Sequence, residues 1–117
     1  DAPTSEFSAS FLGARTVIAG STKNGLFHAP GLTCELAPNG VGRLVLRASR
    51  LRLSDKPQGP LRVSGTIASV AYLGESFEVD LASEAGTIRL ILPSDIPPPP
   101  VGAPGSVIAL PGGATFI

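Results

Sequence analysis

The chain has 117 residues, a mass of 11.9 kDa and balanced charge, with nine Lys and Arg against nine Asp and Glu. This length allows one domain with a modest core, and the balanced charge provides no overall field to attract nucleic acid or an anionic membrane. The single cysteine, Cys34, excludes an internal disulfide.

Apolar and turn-forming residues dominate the composition. Hydrophobic residues make up 43%, which argues against disorder, while 14 Gly and 12 Pro interrupt the chain often and favour short strands over long helices. No apolar run approaches the roughly 20 residues of a membrane-spanning helix, and no signal-peptide pattern opens the chain. Because Met is absent even at position 1, we expect a piece of a longer protein.

The N-terminal stretch predicts a short helix. Phe7 and Phe11 lie four residues apart and would share one helical face, and Gly13 is expected to end the helix. We expect this tail, residues 1–13, to pack against a preceding part of the longer protein.

After Gly13 the hydrophobic pattern changes to an alternation of two, which is typical of strands. The first strand candidates are Thr16–Ala19, Leu26–His28, Leu32–Leu36, Arg43–Arg47 and Arg50–Leu53. Asn24-Gly25, in the segment between Thr16–Ala19 and Leu26–His28, is a good hairpin signal. Leu44 and Leu46 are predicted on the core face, with Arg43, Val45 and Arg47 opposite.

The second half predicts strands more clearly. The candidates lie within residues 61–72, 77–81, 88–92, 107–110 and 114–117. Val70 and Tyr72 have the opposite parity to Leu61–Ile67, which predicts a bulge or bend inside one long strand. The run Pro97–Pro100 is interpreted as a rigid connector between strands.

The predicted fold is therefore all-β, a small OB-like β-barrel or pair of barrels of about nine short strands with a short N-terminal helical tail. We place the accessory domain at residues 14–117, in two halves, 14–56 and 60–117.

Catalytic, cofactor and metal motifs are not found. His28 is the only histidine and has no nucleophile motif near it, so it is interpreted as structural, and Cys34 as a small buried hydrophobe. Residues 20–25 have the glycine spacing of a phosphate-binding loop, but the Lys-Ser/Thr pair is missing. One His and one Cys are too few for a zinc site.

Arginines form the sharpest local feature, with Arg43, Arg47, Arg50 and Arg52 close together and Arg62 and Arg89 also on predicted strands. They could line an anion-binding or single-stranded nucleic-acid groove. The preferred interpretation is outward-facing strand residues that pair with Glu75, Glu78 and Asp80, because aromatic residues for base stacking are only 5%.

Two stretches resemble ATP-binding subunits of ABC importers that carry a TOBE (transport-associated OB) domain. Ser5–Gly13 is similar to the Phe-Val-Ala-x-Phe-Leu/Ile-Gly that ends their ATPase domain. Gly65-Thr66-Ile67 and Tyr72-Leu73-Gly74 are similar to the family's Gly-x-Val-x-x-Val-x-Tyr-Leu-Gly. The N-terminal match is nearest in style to polyamine, ferric-iron and related importers.

The chain also departs from the family's pattern. Leu46-Arg47-Ala48-Ser49 stands where members often have Val-Arg-Pro-Glu, so only the arginine is kept. Arg15-Thr16 replaces a usual Asn, and the Ser-Ala-Arg-Asn start of molybdate-binding relatives is missing. Oxyanion sensing by that mode is therefore not expected.

The resemblance implies a non-catalytic C-terminal accessory domain that helps two ATPase subunits to dimerise and regulates them. It implies no cofactor in these residues, with ATP and Mg bound by a preceding nucleotide-binding domain. The parent would be cytoplasmic, peripheral at the inner face of the cell membrane, and partnered by permease subunits. A small-molecule or protein regulator is a further expected partner, and nucleic acid is not.

Two alternative functions stay open: a small-solute or oxyanion sensor, and an OB-type nucleic-acid-binding module. The candidate residues for contact with a partner or ligand are Arg47, Ser49, Arg50, Tyr72 and Glu75.

Overall fold

The structure, a computed structural model, describes residues 15–117, so the predicted helical tail lies outside the described residues. Short antiparallel strands make up most of this range. They are β1 (Arg15–Ala19), β2 (Ser21–Lys23), β3 (Leu26–Ala29), β4 (Leu32–Glu35), β5 (Arg43–Arg47), β6 (Leu51–Ser54), β7 (Leu61–Tyr72), β8 (Ser76–Ser83), β9 (Gly86–Pro93), β10 (Pro104–Ala109) and β11 (Ala114–Phe116). One 3-10 turn, Ala48–Arg50, lies between β5 and β6.

The strands form two sheets. The smaller has the order β1-β5-β11, and the larger runs β2-β3-β4-β7-β10-β6, with β8 joining β7 to β9. Strands β2, β6 and β9 are the end strands of the larger sheet, so hydrogen bonds do not close it into a complete barrel. The all-β, OB-like prediction is confirmed, with eleven strands in the described range instead of about nine.

The observed strands agree closely with those predicted from the local sequence. The Asn24-Gly25 hairpin is confirmed, with φ angles of 54° and 78° that suit a tight turn between β2 and β3. Strand β2 is not among the predicted strands, because its sequence, Ser-Thr-Lys, has no apolar alternation. The connector interpretation of Pro97–Pro100 is confirmed, since the run lies between β9 and β10.

Strand β7 is the longest and is shared by several partners. Its first residues pair with β4 and β10, and Thr66–Tyr72 pair with β8. The register with β8 shifts between Ile67 and Ser69, which confirms the predicted bulge. After the shift Val70 lies opposite the buried Val79 and packs against the core, while Tyr72 at the end of the strand is exposed.

One hydrophobic cluster connects both sheets. Leu44 and Leu46 of β5 are fully buried, as predicted, and they belong to the same cluster as Phe27, Leu81 and Leu90 of the larger sheet. Complete burial of a leucine side chain contributes roughly 1.5–3 kcal/mol to folding. Strand pairings β6–β10 and β5–β11 also join residues before 56 to residues after 60.

A β-carbon at Gly65 would destabilise this arrangement. It would lie 2.1 Å from the carbonyl oxygen of Ala82 and 3.1 Å from the Cγ atom of Leu81, next to the point where β7 begins to pair with β8. We expect Gly65→Ala to lower the free energy of unfolding by about 1–3 kcal/mol, as overpacking does. Urea denaturation followed by circular dichroism measures this loss.

The matched control is Gly42→Ala, because a β-carbon at Gly42 would meet no atom within 4 Å. Its midpoint should stay the same or rise slightly, as Gly→Ala substitutions at compatible sites do. Equal midpoints for the two variants would contradict the proposed crowding at Gly65.

Candidate functional site

Three of the five predicted contact residues lie together at the 3-10 turn. Arg47 and Ser49 are exposed and Arg50 is half-buried. The Arg47 N–H donates to the Gly113 carbonyl at 2.8 Å, and the Leu110 N–H donates to the Arg50 carbonyl at 2.8 Å. The turn is therefore fixed by backbone hydrogen bonds to the β10–β11 connection.

The Arg50 guanidinium already forms two hydrogen bonds within the domain. Its Nε and Nη2 atoms donate to the Pro111 carbonyl at 3.2 and 3.1 Å. The Arg52 Nη1 atom likewise donates to the Ser49 and Leu51 carbonyls, at 3.1 and 2.8 Å. The Arg50 and Arg52 side chains thus stabilise the turn by hydrogen bonds, and Arg50 has fewer N–H groups left to bind an external anion.

The other two predicted residues, Tyr72 and Glu75, lie at the tip of the β7–β8 hairpin. The Tyr72 ring packs on Phe77 with 5.1 Å between centroids, and its hydroxyl donates to the Gly74 carbonyl. Tyr72 and Leu73 remain 62% and 57% exposed. Residues 71–75 thus form an exposed apolar tip, on a different element from Arg50.

The predicted pairing of arginines with carboxylates is confirmed for Arg89. Its Nε atom lies 2.9 Å from the Asp80 carboxylate, and its Nη1 atom lies 3.7 Å from Glu78. The hydrogen bonds that Arg89 donates to the Asp80 carboxylate raise the Arg89 pKa. For Arg50, Arg52 and Arg62 the prediction is wrong, since their guanidinium groups donate to backbone carbonyls within the described range.

Sequence reasoning missed a groove where the larger sheet stays open. The groove has a volume of about 460 Å³ and lies between β6, β10 and the segment that follows β9. Its lining comprises Arg52, Leu53, Ser54, Asp55, Leu92, Ile96, Pro97, Pro98, Pro99, Pro104 and Gly105. The sequence indicated that the proline run is a rigid segment, and this segment forms one wall of the groove. No local sequence pattern indicated that it lies beside β6.

Two further expectations concern side-chain chemistry. His28 is exposed on β3, and Cys34 is buried and unpaired on β4, as predicted for a small hydrophobe. Residues 15–117 contain no cluster of three or more His, Cys, Asp or Glu side chains that could hold a metal ion. In the same range, no helix is long and apolar enough to cross a membrane.

The family follows from residues 44–114, which match the model of the TOBE domain. The chain belongs to the TOBE domain family. This match covers the 3-10 turn, the groove-forming strands and the Tyr72-Leu73-Gly74 hairpin, and it agrees with the resemblance found from the sequence. The expectation of an accessory, non-catalytic domain is supported by this membership.

Curated relatives of this TOBE domain are Fe(3+) ions import ATP-binding proteins FbpC from Brucella abortus (strain 2308) and Brucella melitensis biotype 1. Each is 32% identical over 103 residues, covering 80% of this chain. The matched region is 29% of each relative's length, so the chain corresponds to less than a third of those proteins. The predicted resemblance to ABC importer ATP-binding subunits is confirmed.

A solved structure shares the fold. The cytoplasmic molybdate-binding protein ModG, with molybdate bound, superimposes with a TM-score of 0.59 over 86% of this chain and 94% of its own. Sequence identity is 15%, so the similarity concerns the fold alone.

The Cys34 thiol should react slowly in the folded domain. Burial, and then the nearby Glu35 carboxylate, raise its pKa, so the thiol stays protonated at neutral pH. Because the thiolate is the reactive form, we expect iodoacetamide to label Cys34 slowly until urea unfolds the chain. Mass spectrometry of the modified fraction measures the rate, and rapid labelling of the folded protein would contradict this expectation.

Because of the same raised pKa, the free energy of unfolding should depend on pH in the alkaline range. The folded-state pKa exceeds the unfolded value, so this contribution is complete below the unfolded pKa and is lost as pH rises through the folded pKa. The control is Cys34→Ala, which cannot titrate there and should lose less stability over that range.

Proposed function

We propose that this chain is the C-terminal accessory domain of the ATP-binding subunit of a bacterial ABC importer. The supporting observation is the TOBE match together with the FbpC similarity over 80% of the chain. In this proposal residues 1–13 end the preceding ATPase domain, and residues 14–117 form the accessory domain. ATP and Mg would bind in the preceding domain, outside these residues.

The parent would act in the cytoplasm, at the inner face of the membrane, with permease subunits as partners. The similarity to import ATP-binding proteins supports this proposal. Ferric iron is the substrate that the names of these relatives suggest for the importer. The accessory domain would hold two ATP-binding subunits together and carry regulation by a small molecule or protein.

The first test is the coding sequence upstream of Asp1. We expect it to encode a Gly-x-x-x-x-Gly-Lys-Ser/Thr loop followed by an ABC signature, because the parent must bind and hydrolyse ATP. The full-length protein should then hydrolyse ATP, measured by phosphate release. An upstream sequence without that loop would overturn the proposal.

Dimerisation is assigned in this proposal to the exposed β7–β8 tip. Tyr72 and Leu73 present apolar surface there, and such surface often marks a protein contact. We expect the 117-residue chain to self-associate reversibly in sedimentation equilibrium. Leu73→Ser should weaken that association about tenfold or more, a typical loss for a central apolar contact.

The matched control is Val101→Ser, which alters an equally apolar side chain that is 62% exposed in the segment before β10. It should leave the association unchanged. A monomer at all concentrations, or equal weakening by both variants, would remove dimerisation from the proposed role without touching the assignment to an importer.

A solute sensor is the second candidate, favoured by the groove between β6 and β10. Its volume of about 460 Å³ lies in the range of small-molecule sites, and Arg52 and Asp55 supply polar groups beside an apolar lining. This groove suits a ligand better than the turn at Arg50, whose guanidinium already donates to Pro111. Calorimetric titration with molybdate and ferric iron separates this role from a purely structural one.

A further inference from the structure

The outward side of the small sheet, β1-β5-β11, carries an unusual charge pattern. The buried positions of β1 and β5 are Thr16, Ile18, Leu44 and Leu46, so the alternate positions face away from the core. We name this outward side the arginine face. It comprises Arg15, Val17, Ala19, Arg43, Val45, Arg47 and Thr115.

Two arginines lie directly opposite each other on this face. Arg15 of β1 is the Cα partner of Arg47 of β5, and both are exposed. Like charges at directly opposed positions destabilise a sheet. The pairing is therefore unfavourable for the isolated fold.

No acidic residue belongs to the arginine face. Within residues 15–117, the side chains of Arg15, Arg43 and Arg47 form no ion pair with a carboxylate, although the same chain balances Arg89 with Asp80 at 2.9 Å. Among the described residues, carboxylates therefore neutralise Arg89 but none of the three arginines of this face.

The arginines surround a partly exposed apolar strip. Val17 and Val45 are cross-strand partners and both are half-buried, and Thr115 lies on the other side of Val45. At the edge of the sheet, Ile117 pairs with Arg43 through two backbone hydrogen bonds of 3.0 Å and is 62% exposed. A binding partner would therefore gain both charge neutralisation and apolar burial.

We propose that the arginine face docks an acidic protein surface with an apolar centre. Carboxylates of the partner would neutralise Arg15, Arg43 and Arg47 and remove the repulsion between Arg15 and Arg47. This contact goes beyond the accessory role proposed above, because it identifies a separate surface and the chemistry of its partner. It does not depend on self-association through the β7–β8 tip.

Other occupants fit the arginine face less well. Nucleic-acid surfaces usually add aromatic side chains for stacking, and none of the seven positions that define this face is aromatic. The net charge of the whole chain is zero, which gives little long-range attraction for a polyanion. A second copy docked through the same face would bring arginines against arginines.

The test uses the 117-residue chain and a synthetic peptide of alternating Glu and Leu as the acidic probe. Amide shifts in ¹⁵N-labelled protein should change on β1, β5 and β11 during titration. The double variant Arg43→Glu/Arg47→Glu should bind at least about tenfold more weakly, because attraction becomes repulsion. Added salt should weaken binding to the natural sequence.

The matched control is Arg62→Glu, which reverses one exposed arginine on β7, away from this face. This variant should bind the Glu-Leu peptide as tightly as the natural sequence does. A peptide of alternating Ser and Leu should bind much more weakly than the Glu-Leu peptide. The proposal would be overturned if Arg62→Glu lost as much affinity for the peptide as the double variant Arg43→Glu/Arg47→Glu. Amide shifts confined to other strands would overturn it as well.

A second measurement is independent of any ligand. Arg47→Glu places an acid opposite Arg15, so its urea midpoint should rise while binding of the Glu-Leu peptide falls. An unchanged or lower midpoint would overturn the argument that Arg15 and Arg47 repel each other. Stronger binding of a DNA duplex or of phosphatidylserine vesicles than of the peptide would also overturn the assignment to a protein partner.

Discussion

The close approach of β8 to β7 at Gly65 is the constraint on which the rest of this domain depends. Strand β7 pairs with β4, β10 and β8 along its length, and beside Gly65 the β8 backbone occupies the space that a β-carbon would need. The missing side chain at Gly65 provides that space next to Ala82. The register shift after Ile67 then places Val70 opposite the buried Val79, and the strand continues from there to the exposed hairpin tip.

The domain has three surfaces that differ in chemistry. The β7–β8 tip exposes Tyr72 and Leu73, and the groove beside β6 is mostly apolar with a proline wall. The arginine face lies on the other sheet and combines charge with an apolar strip. These three surfaces have no residue in common.

The motif that identifies the family is mainly a structural one. Gly65 is required by the close approach of β8, and Gly74 adopts a φ angle of +93° at the hairpin turn. Neither glycine has a side chain that could recognise a solute. This explains why the resemblance predicted the fold and family correctly, while the five predicted contact residues were divided between the 3-10 turn and the hairpin tip.

The sequence by itself determined the strand class, the burial of Leu44 and Leu46, the Asn24-Gly25 hairpin and the bulge in β7. These features depend on alternation and turn chemistry, which act over a few neighbouring residues. Only the tertiary structure decided that Arg15 faces Arg47, that Arg50 binds the Pro111 carbonyl, and that the proline run lies beside β6. Those contacts join residues far apart in the chain, and they arise from the packing of whole strands around one core, which no local pattern encodes.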